Sequence, residues 1–352
     1  MTAIYDSILG TVGKTPMIEL KKIAAPSTHR FFAKVESFNP GGSIKDRIAV
    51  AIIEAAEKRG DLKPGGTIVE ATSGNTGVGL ALAAAVKGYK CVFTMPEKMS
   101  EEKRSLLKAY GARVVITPTS VEPEDPRSHY SVAKRIAQET PGGFLANQYH
   151  NPDNPERHYQ TTGPEIWEQM GGKVDMLVAG AGTGGTLSGC AHFLKEKNPQ
   201  AQMICADPIG SILFDLYYHQ KVIDPPAPYK VEGVGEDMLP DNVHMKLYDG
   251  FVRVSDQEAF DLTRRLVPEE GLLVGPSSGM ALAGAIKASE KLTKPSNIVV
   301  IFPDSGRAYL SKAFNDQWMV ENGLVKSQDI AHAFNRVISA DEAIAELNKN
   351  KK

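Results

Sequence analysis

In the stretch "NPGGSIKDRIAV" a lysine stands three residues after a glycine pair, where a loop gives way to a helix. An amine in the first turn of a helix meets the unfavourable end of the helix dipole, which lowers its pKa and favours the free base. A neutral amine adds to an aldehyde to form an imine, so Lys45 has the makings of a covalent reaction centre. Taken by itself, it reads more readily as a solvated lysine paired with Asp46 or Glu54.

Two further stretches bear on that choice. "VAGAGTGGT" follows an apolar run and opens a helix, with glycines at 180, 182, 184 and 185 and hydroxyls at Thr183 and Thr186. Glycines there let the backbone approach a bound group, and the free amides of a helix start suit a phosphate. The same letters satisfy G-x-G-x-x-G with Asp207 at the end of the next strand, so a nicotinamide dinucleotide is a competing ligand. The second stretch, "EATSGNTGVGLA", gathers Thr72, Ser73, Gly74, Asn75 and Thr76 between a strand and a helix, as a small carboxylate would require. Ser73 or Asn75 as a plain N-cap is the alternative there. One loop for a phosphate and one for a carboxylate suggest a phosphorylated cofactor facing an amino-acid substrate. Ser277 and Ser278, in "VGPSSGMALAGA", serve either as N-caps or as hydroxyls offered to a ring nitrogen.

The elements that must hold these groups alternate. "GTIVEA", "KCVFTM", "RVVITP", "VDMLVAG", "QMICAD" and "NIVVIF" read as buried strands, separated by helix-period segments such as 74–89 and "GTLSGCAHFLKEKNP". Such alternation means parallel sheets with helices on their faces. Residues 118–130 and 217–235 interrupt the rhythm, and residues 326–352 form a helical tail with a capping box at Ser339 and Glu342. The 352 residues, 42% apolar and 23% charged, describe a globular protein of two lobes or one large α/β unit. A net charge of −2 without a dense basic block argues against nucleic acid or anionic membrane as partners. The first residues lack the basic start and apolar core of a signal peptide, so a cytoplasmic location is expected. Cys91, Cys190 and Cys205, far apart and in core-like runs, read as buried spectators, and no metal site is expected.

In this order the motifs "GGSIKDR", "TSGNTG", "GTGGT", "EGVGEDMLP", "VGPSSG" and "PDSGRAYLSK" resemble the fold-type II pyridoxal-phosphate enzymes, specifically the cysteine synthase and cystathionine β-synthase family, over residues 8–319. The resemblance implies an α/β fold like the tryptophan synthase β subunit: two lobes, each a mainly parallel sheet flanked by helices. Residues 43–145 would form the small lobe, 1–42 with 146–325 the large one. It implies pyridoxal 5'-phosphate carried as a Schiff base on Lys45, with Asn75 at the ring hydroxyl and Ser277 at the pyridine nitrogen. Gly182, Thr183, Gly184, Gly185 and Thr186 would hold the phosphate. Thr72, Ser73, Thr76 and Gln148 would grip the substrate carboxylate, and Tyr159 would line the site. The reaction implied is β-replacement through an aminoacrylate, with Lys45 as tether, base and acid. The substrates are then an amino acid and a thiol, and the family norm is a homodimer.

Two branches compete. Cystathionine β-synthases join L-serine to L-homocysteine with loss of water; cysteine synthases join O-acetylserine to sulfide. Cysteine synthases usually carry a small apolar residue where this chain has Glu236, and the pair Glu236–Asp237 resembles bacterial cystathionine β-synthases. Carboxylates there would engage the ammonium group of homocysteine, which sulfide lacks. The haem-binding extension and paired regulatory modules of some relatives are not expected. Pro276 stands where a glycine is common.

Overall fold

The computed structural model describes residues 4–72, 74–97, 101–119, 121–122, 124–326 and 339–349. Among the described residues ten strands make two sheets: β1 Met17–Leu20, β2 Arg30–Val35, β3 Thr67–Ala71, β4 Lys90–Pro96, β5 Arg113–Thr117, β6 Gly143–Leu145, β7 Met176–Gly180, β8 Gln202–Pro208, β9 Gly250–Val254 and β10 Asn297–Phe302. The larger sheet runs β1-β2-β10-β7-β8-β9 and the smaller β5-β4-β3-β6. Every pairing is parallel except β1 with β2, an antiparallel edge. The sequence-expected strands all form, within a residue or two of their expected ends.

Burial explains why these strands read as unbroken apolar runs. In β7, Met176 and Val178 join the core on one face while Leu177 and Ala179 join the core on the other. A strand covered by helices on both faces has no solvent side on which to alternate. The smaller sheet repeats the arrangement, with Ile68 and Phe93 in one cluster and Val69 in the opposite one.

Parallel strands all end on the same side of their sheet, and ligands of such sheets collect beyond those carboxyl ends. Here the two sheets turn those ends toward one shared cleft of about 630 Å³, lined by Ala71 and Thr72 at the end of β3, Gly180 and Gly182 at the end of β7, and Pro303 and Asp304 just after β10. The Lys45–Arg59 helix packs on the Asn75–Lys87 helix of the smaller sheet. The residues just before it are laced to the larger sheet, through Ile44 N–H to the Pro303 carbonyl (2.8 Å) and Ser305 N–H to that of Gly42 (3.1 Å). Lys45 therefore sits where the two sheets meet.

In the tail, the Ala340–Lys349 helix carries the expected capping box: Ser339 N–H donates to Glu342 (2.9 Å) and Glu342 N–H to Ser339 Oγ (3.2 Å). Among the described residues no helix is long and apolar enough to cross a membrane.

Candidate active site

Lys45 lines the cleft as the first residue of its helix. Loss of solvent pulls its amine down to about 8, against the opposing pull of Glu236 and Asp304. Burial is thus the main reason the amine is easily freed, where the sequence pointed to the helix dipole. Neither expected partner takes it up. Asp46 is turned back to accept from Gly41 N–H (2.5 Å), and Glu54 lies on the exposed face of the helix.

The glycine stretch after β7 forms a tight cradle. Gly184 adopts φ +81, closed to most side chains, and a Cβ there would run into Val243 and the Asn242 carbonyl. A Cβ on Gly182 would lie 2.6 Å from the Gly233 carbonyl oxygen. The loop is pinned from that side by Gly235 N–H donating to the Ala181 carbonyl (2.7 Å). Thr183 and Thr186 line the cleft beside it, and the Gly185–Lys197 helix begins without a side-chain cap, leaving its first amides for a ligand. We expect Gly184→Ala to destabilise the fold by about 1–3 kcal/mol, seen in thermal melts, and to weaken binding of a phosphate monoester.

Asp207 settles the dinucleotide alternative. It is fully buried and accepts from Phe214 N–H (2.9 Å), holding the start of the next helix. Ser211 also bonds it, and burial pushes its carboxyl up to about 6. It is spent on a turn and does not line the cleft, so it is not placed to bind a ribose.

The loop after β3 faces the cradle across the cleft. Gly74 is the N-cap of the Asn75–Lys87 helix and offers no side-chain cap; its own N–H donates to Thr72 Oγ1 (3.4 Å). Ser73 lies outside the described residues. Thr76 donates to Gln148 Oε1 (2.6 Å), and Thr72 lines the same wall. Gln148 is fixed by Glu70, which accepts from the backbone N–H of Asn147 (2.6 Å) and of Gln148 (3.3 Å), with Asn147 at φ +52. Asn75 is not a cap either. Its amide donates to Asp304 Oδ2 (2.8 Å), which also accepts from Tyr309 Oη (2.8 Å). Asp304 is buried and pushed up to about 6 by loss of solvent.

Ser277 is buried in the cleft wall near the start of the Pro276–Ser289 helix. The N-cap is Gly275, with no side-chain cap, so neither serine is spent on capping. Pro276 occupies the first helical position, where its missing N–H has no partner to lose.

Glu236 lines the cleft half-buried, within hydrogen-bond reach of Tyr149, and burial followed by the charge of Asp237 pushes it up to about 8. Asp237 is exposed and away from the lining residues, so the expected pair divides into one inward and one outward carboxylate. Tyr159 also departs from expectation. Its hydroxyl donates to Glu196 (3.0 Å) at the surface and its ring lies against His192 and Phe193. The preceding residue, His158, is the one turned inward, 3.3 Å from Thr186 Oγ1. Other cleft residues the sequence reading passed over are Tyr130 and Tyr149. At the mouth, Glu232 is ion-paired with both Lys103 and Lys312.

A cradle for a phosphate, a deep-set amine with no ion pair among the described residues, a buried hydroxyl and a carboxylate loop thus surround one cleft. Comparison with known proteins agrees with that chemistry. The family model described as "Pyridoxal-phosphate dependent enzyme" matches residues 8–304. The chain is 47% identical over 331 residues to the cystathionine β-synthase of Oryctolagus cuniculus, covering 93% of this chain and 60% of the relative. It is 46% identical over 322 residues to that of Dictyostelium discoideum, covering 92% and 64%. The chain therefore spans about three fifths of the length of these curated relatives. Among solved structures, an O-acetylserine-dependent cystathionine β-synthase from Helicobacter pylori superposes with a TM-score of 0.81 at 38% identity, over 88% of this chain and 99% of that one. An O-ureido-L-serine synthase superposes with a TM-score of 0.83 at 33% identity, over 97% and 100%.

Proposed function

We propose that this chain, which belongs to the pyridoxal-phosphate dependent enzymes, condenses L-serine with L-homocysteine to L-cystathionine and water, as a cystathionine β-synthase. The relatives that carry that name support the reading. The observation that carries it is Glu236, an inward carboxyl that lines the same cleft as Lys45. A carboxylate there gives the ammonium of an amino-acid thiol a partner that sulfide could not use.

The residues suit the cofactor. The glycine cradle with Thr183 and Thr186 would take its phosphate, Lys45 its aldehyde carbon, Asn75 its ring hydroxyl and Ser277 its ring nitrogen. Bound there, the cofactor supplies an electron sink that acidifies the substrate's Cα–H. A serine hydroxyl at the ring nitrogen, in place of a carboxylate, leaves that nitrogen largely unprotonated and keeps the sink weak, which favours prompt loss of the β-substituent.

Lys45 Nζ then takes the proton from Cα, and later returns it to Cα. Between those steps the Cβ–O bond of serine breaks and the homocysteine sulfur bonds to Cβ; the thiol proton leaves with the hydroxyl as water. Thr72, Thr76 and Gln148 hold the substrate carboxylate so that Cα faces the amine, and Ser73 is proposed to join them. The Lys103–Glu232–Lys312 pairs draw the mouth of the cleft together and help exclude water. The small lobe is proposed as 43–145 and the large lobe as 1–42 with 146–325. A cytoplasmic homodimer is the proposed setting.

Glu236→Gln separates the two halves of the reaction. The KM for homocysteine is expected to rise roughly tenfold or more while that for serine stays within about twofold, the loss of one charge-assisted hydrogen bond. Because the folded pKa of this acid is raised to about 8, the carboxylate form gains population as pH rises through that value. Homocysteine affinity in the parent should therefore improve from pH 7 to 9 more than in the variant. Mass spectrometry of products from L-serine plus L-homocysteine, beside O-acetylserine plus sulfide, tests the assignment itself. Cystathionine as the main product supports it. Cysteine from the second mixture with no cystathionine from the first would contradict it.

A further inference from the structure

Behind the phosphate cradle runs the segment Asp153–Thr162, a short helix that passes into a π-helical turn, His158–Thr162. Single π turns concentrate at functional sites because they re-aim side chains. Two fully buried polar side chains of this segment, Asn154 and His158, reach the two threonines of the cradle. We infer that Asn154 and His158 are positioning residues that fix Thr183 and Thr186 as hydrogen-bond donors toward the cleft, His158 doing so as the neutral tautomer protonated on Nε2. The inference rests on the assignment of that cleft to a phosphorylated cofactor.

Asn154 Nδ2 lies 2.9 Å from the Gln148 carbonyl oxygen and 3.0 Å from Thr183 Oγ1. A carbonyl oxygen only accepts, so the nitrogen must face it; flipping the amide would set two acceptors against each other. Both amide hydrogens are then used, and Thr183 Oγ1 is an acceptor on its buried side. Its one proton is left for the cleft that it lines.

The same count decides the imidazole. His158 Nδ1 is 2.9 Å from Thr162 Oγ1, and Nε2 is 3.3 Å from Thr186 Oγ1. Were Nδ1 protonated, Nε2 would be bare and the Thr186 hydroxyl would have to donate inward, offering only lone pairs to an incoming phosphate. Phosphate oxygens accept and cannot donate at the anionic charge, so that arrangement opposes binding. With Nε2 protonated, Thr162 donates to Nδ1, Nε2–H donates to Thr186, and the Thr186 proton points to the cleft. Burial, reinforced by Arg47 and Lys45, keeps the ring far below its ordinary pKa and hence neutral.

Asn154 has a second consequence. The Gln148 carbonyl it holds belongs to the residue whose side chain takes the Thr76 hydroxyl in the carboxylate loop, and Asn242 Nδ2 holds the same carbonyl (2.9 Å). One buried amide therefore ties the phosphate cradle to the carboxylate wall.

Long-range 15N–1H correlation spectra of 15N-histidine-labelled, pyridoxal-phosphate-loaded protein read the tautomer directly, with His158→Gln identifying the signal. A neutral ring protonated on Nε2 is expected. A neutral ring protonated on Nδ1, or an imidazolium, would overturn the inference while leaving the cofactor assignment standing. A parent protein that binds no pyridoxal phosphate would overturn both. Cofactor titrations give the second reading. Thr162→Val keeps the shape but removes the donor to Nδ1 and should raise the cofactor Kd roughly tenfold, whereas Thr162→Ser should stay near the parent value. Equal Kd values for parent and Thr162→Val would count against the relay, since a role in packing alone predicts that result.

Discussion

Replacing Lys45 by alanine is expected to lower turnover by roughly four orders of magnitude, the upper range for loss of a positioned acid–base group that also forms the covalent link. The size of the effect follows from the surroundings. Among the described residues, the other lysines lining the cleft are Lys103 and Lys312, committed to Glu232 at its mouth, and Lys230, which is exposed. The amine of Lys45, drawn down to about 8 by burial, faces Glu236 and Asp304 without forming a salt bridge to either among the described residues. Single-turnover measurements of cystathionine formation with the parent and Lys45→Ala would check this. A drop of less than tenfold would mean that another group moves the Cα proton.

The largest effect on stability is expected two residues further on. Arg47 is one of the most deeply buried side chains of the molecule. Its guanidinium donates to both carboxylate oxygens of Glu36 (2.6 and 2.9 Å) and both of Glu165 (2.8 and 2.7 Å). Lys34 completes the cluster through Glu165 (2.7 Å) and Thr15 through Glu36 (2.6 Å). Arg47→Met would leave Glu36 buried without its cation and Glu165 with Lys34 alone, and removing one partner of such a cluster costs about 3–5 kcal/mol. Urea denaturation at neutral pH checks the figure. The cluster also has a pH signature. Glu165 is held down to about 2, so its share of stability is complete above its ordinary pKa of 4.5 and is lost as pH falls from there toward 2. That acid limb should be weaker in Arg47→Met, where Lys34 alone still holds Glu165 down. Because the cluster joins β2, the Lys45–Arg59 helix and the Gly163–Gln169 helix, the variant should also loosen the placement of Lys45.

The parts of this molecule that were legible in the sequence share a physical reason. Strands buried on both faces write themselves as continuous apolar runs, and a backbone that must approach a phosphate leaves glycines at fixed places, as at 182, 184 and 185. Asn75 shows where that legibility stops. Its partner Asp304 lies 229 residues away, on the far side of the interface between the sheets, and nothing local in "TSGNTG" distinguishes an amide that caps a helix from one that meets a carboxylate. The Asp304 motif, "PDSGRAYLSK", was visible as a motif but silent about the partner. Tyr159 and His158 differ by one position, yet a residue step of about 100° on a helix decides which faces the cradle, and the π turn there alters the register that sequence spacing assumes. Asp237 and Glu236 likewise follow one another in a loop, where only the fold decides which carboxylate turns in. For Lys45 the residue was legible and the cause was not, because burial by two separate sheets is a tertiary property.

Borohydride reduction of the pyridoxal-phosphate-loaded protein, followed by proteolysis and peptide mass mapping, tests the central claim most directly. The account predicts a stable phosphopyridoxyl mass on Lys45 alone, with its formation blocked in Lys45→Ala. A label spread over surface lysines, or none on the peptide carrying Lys45, would contradict it.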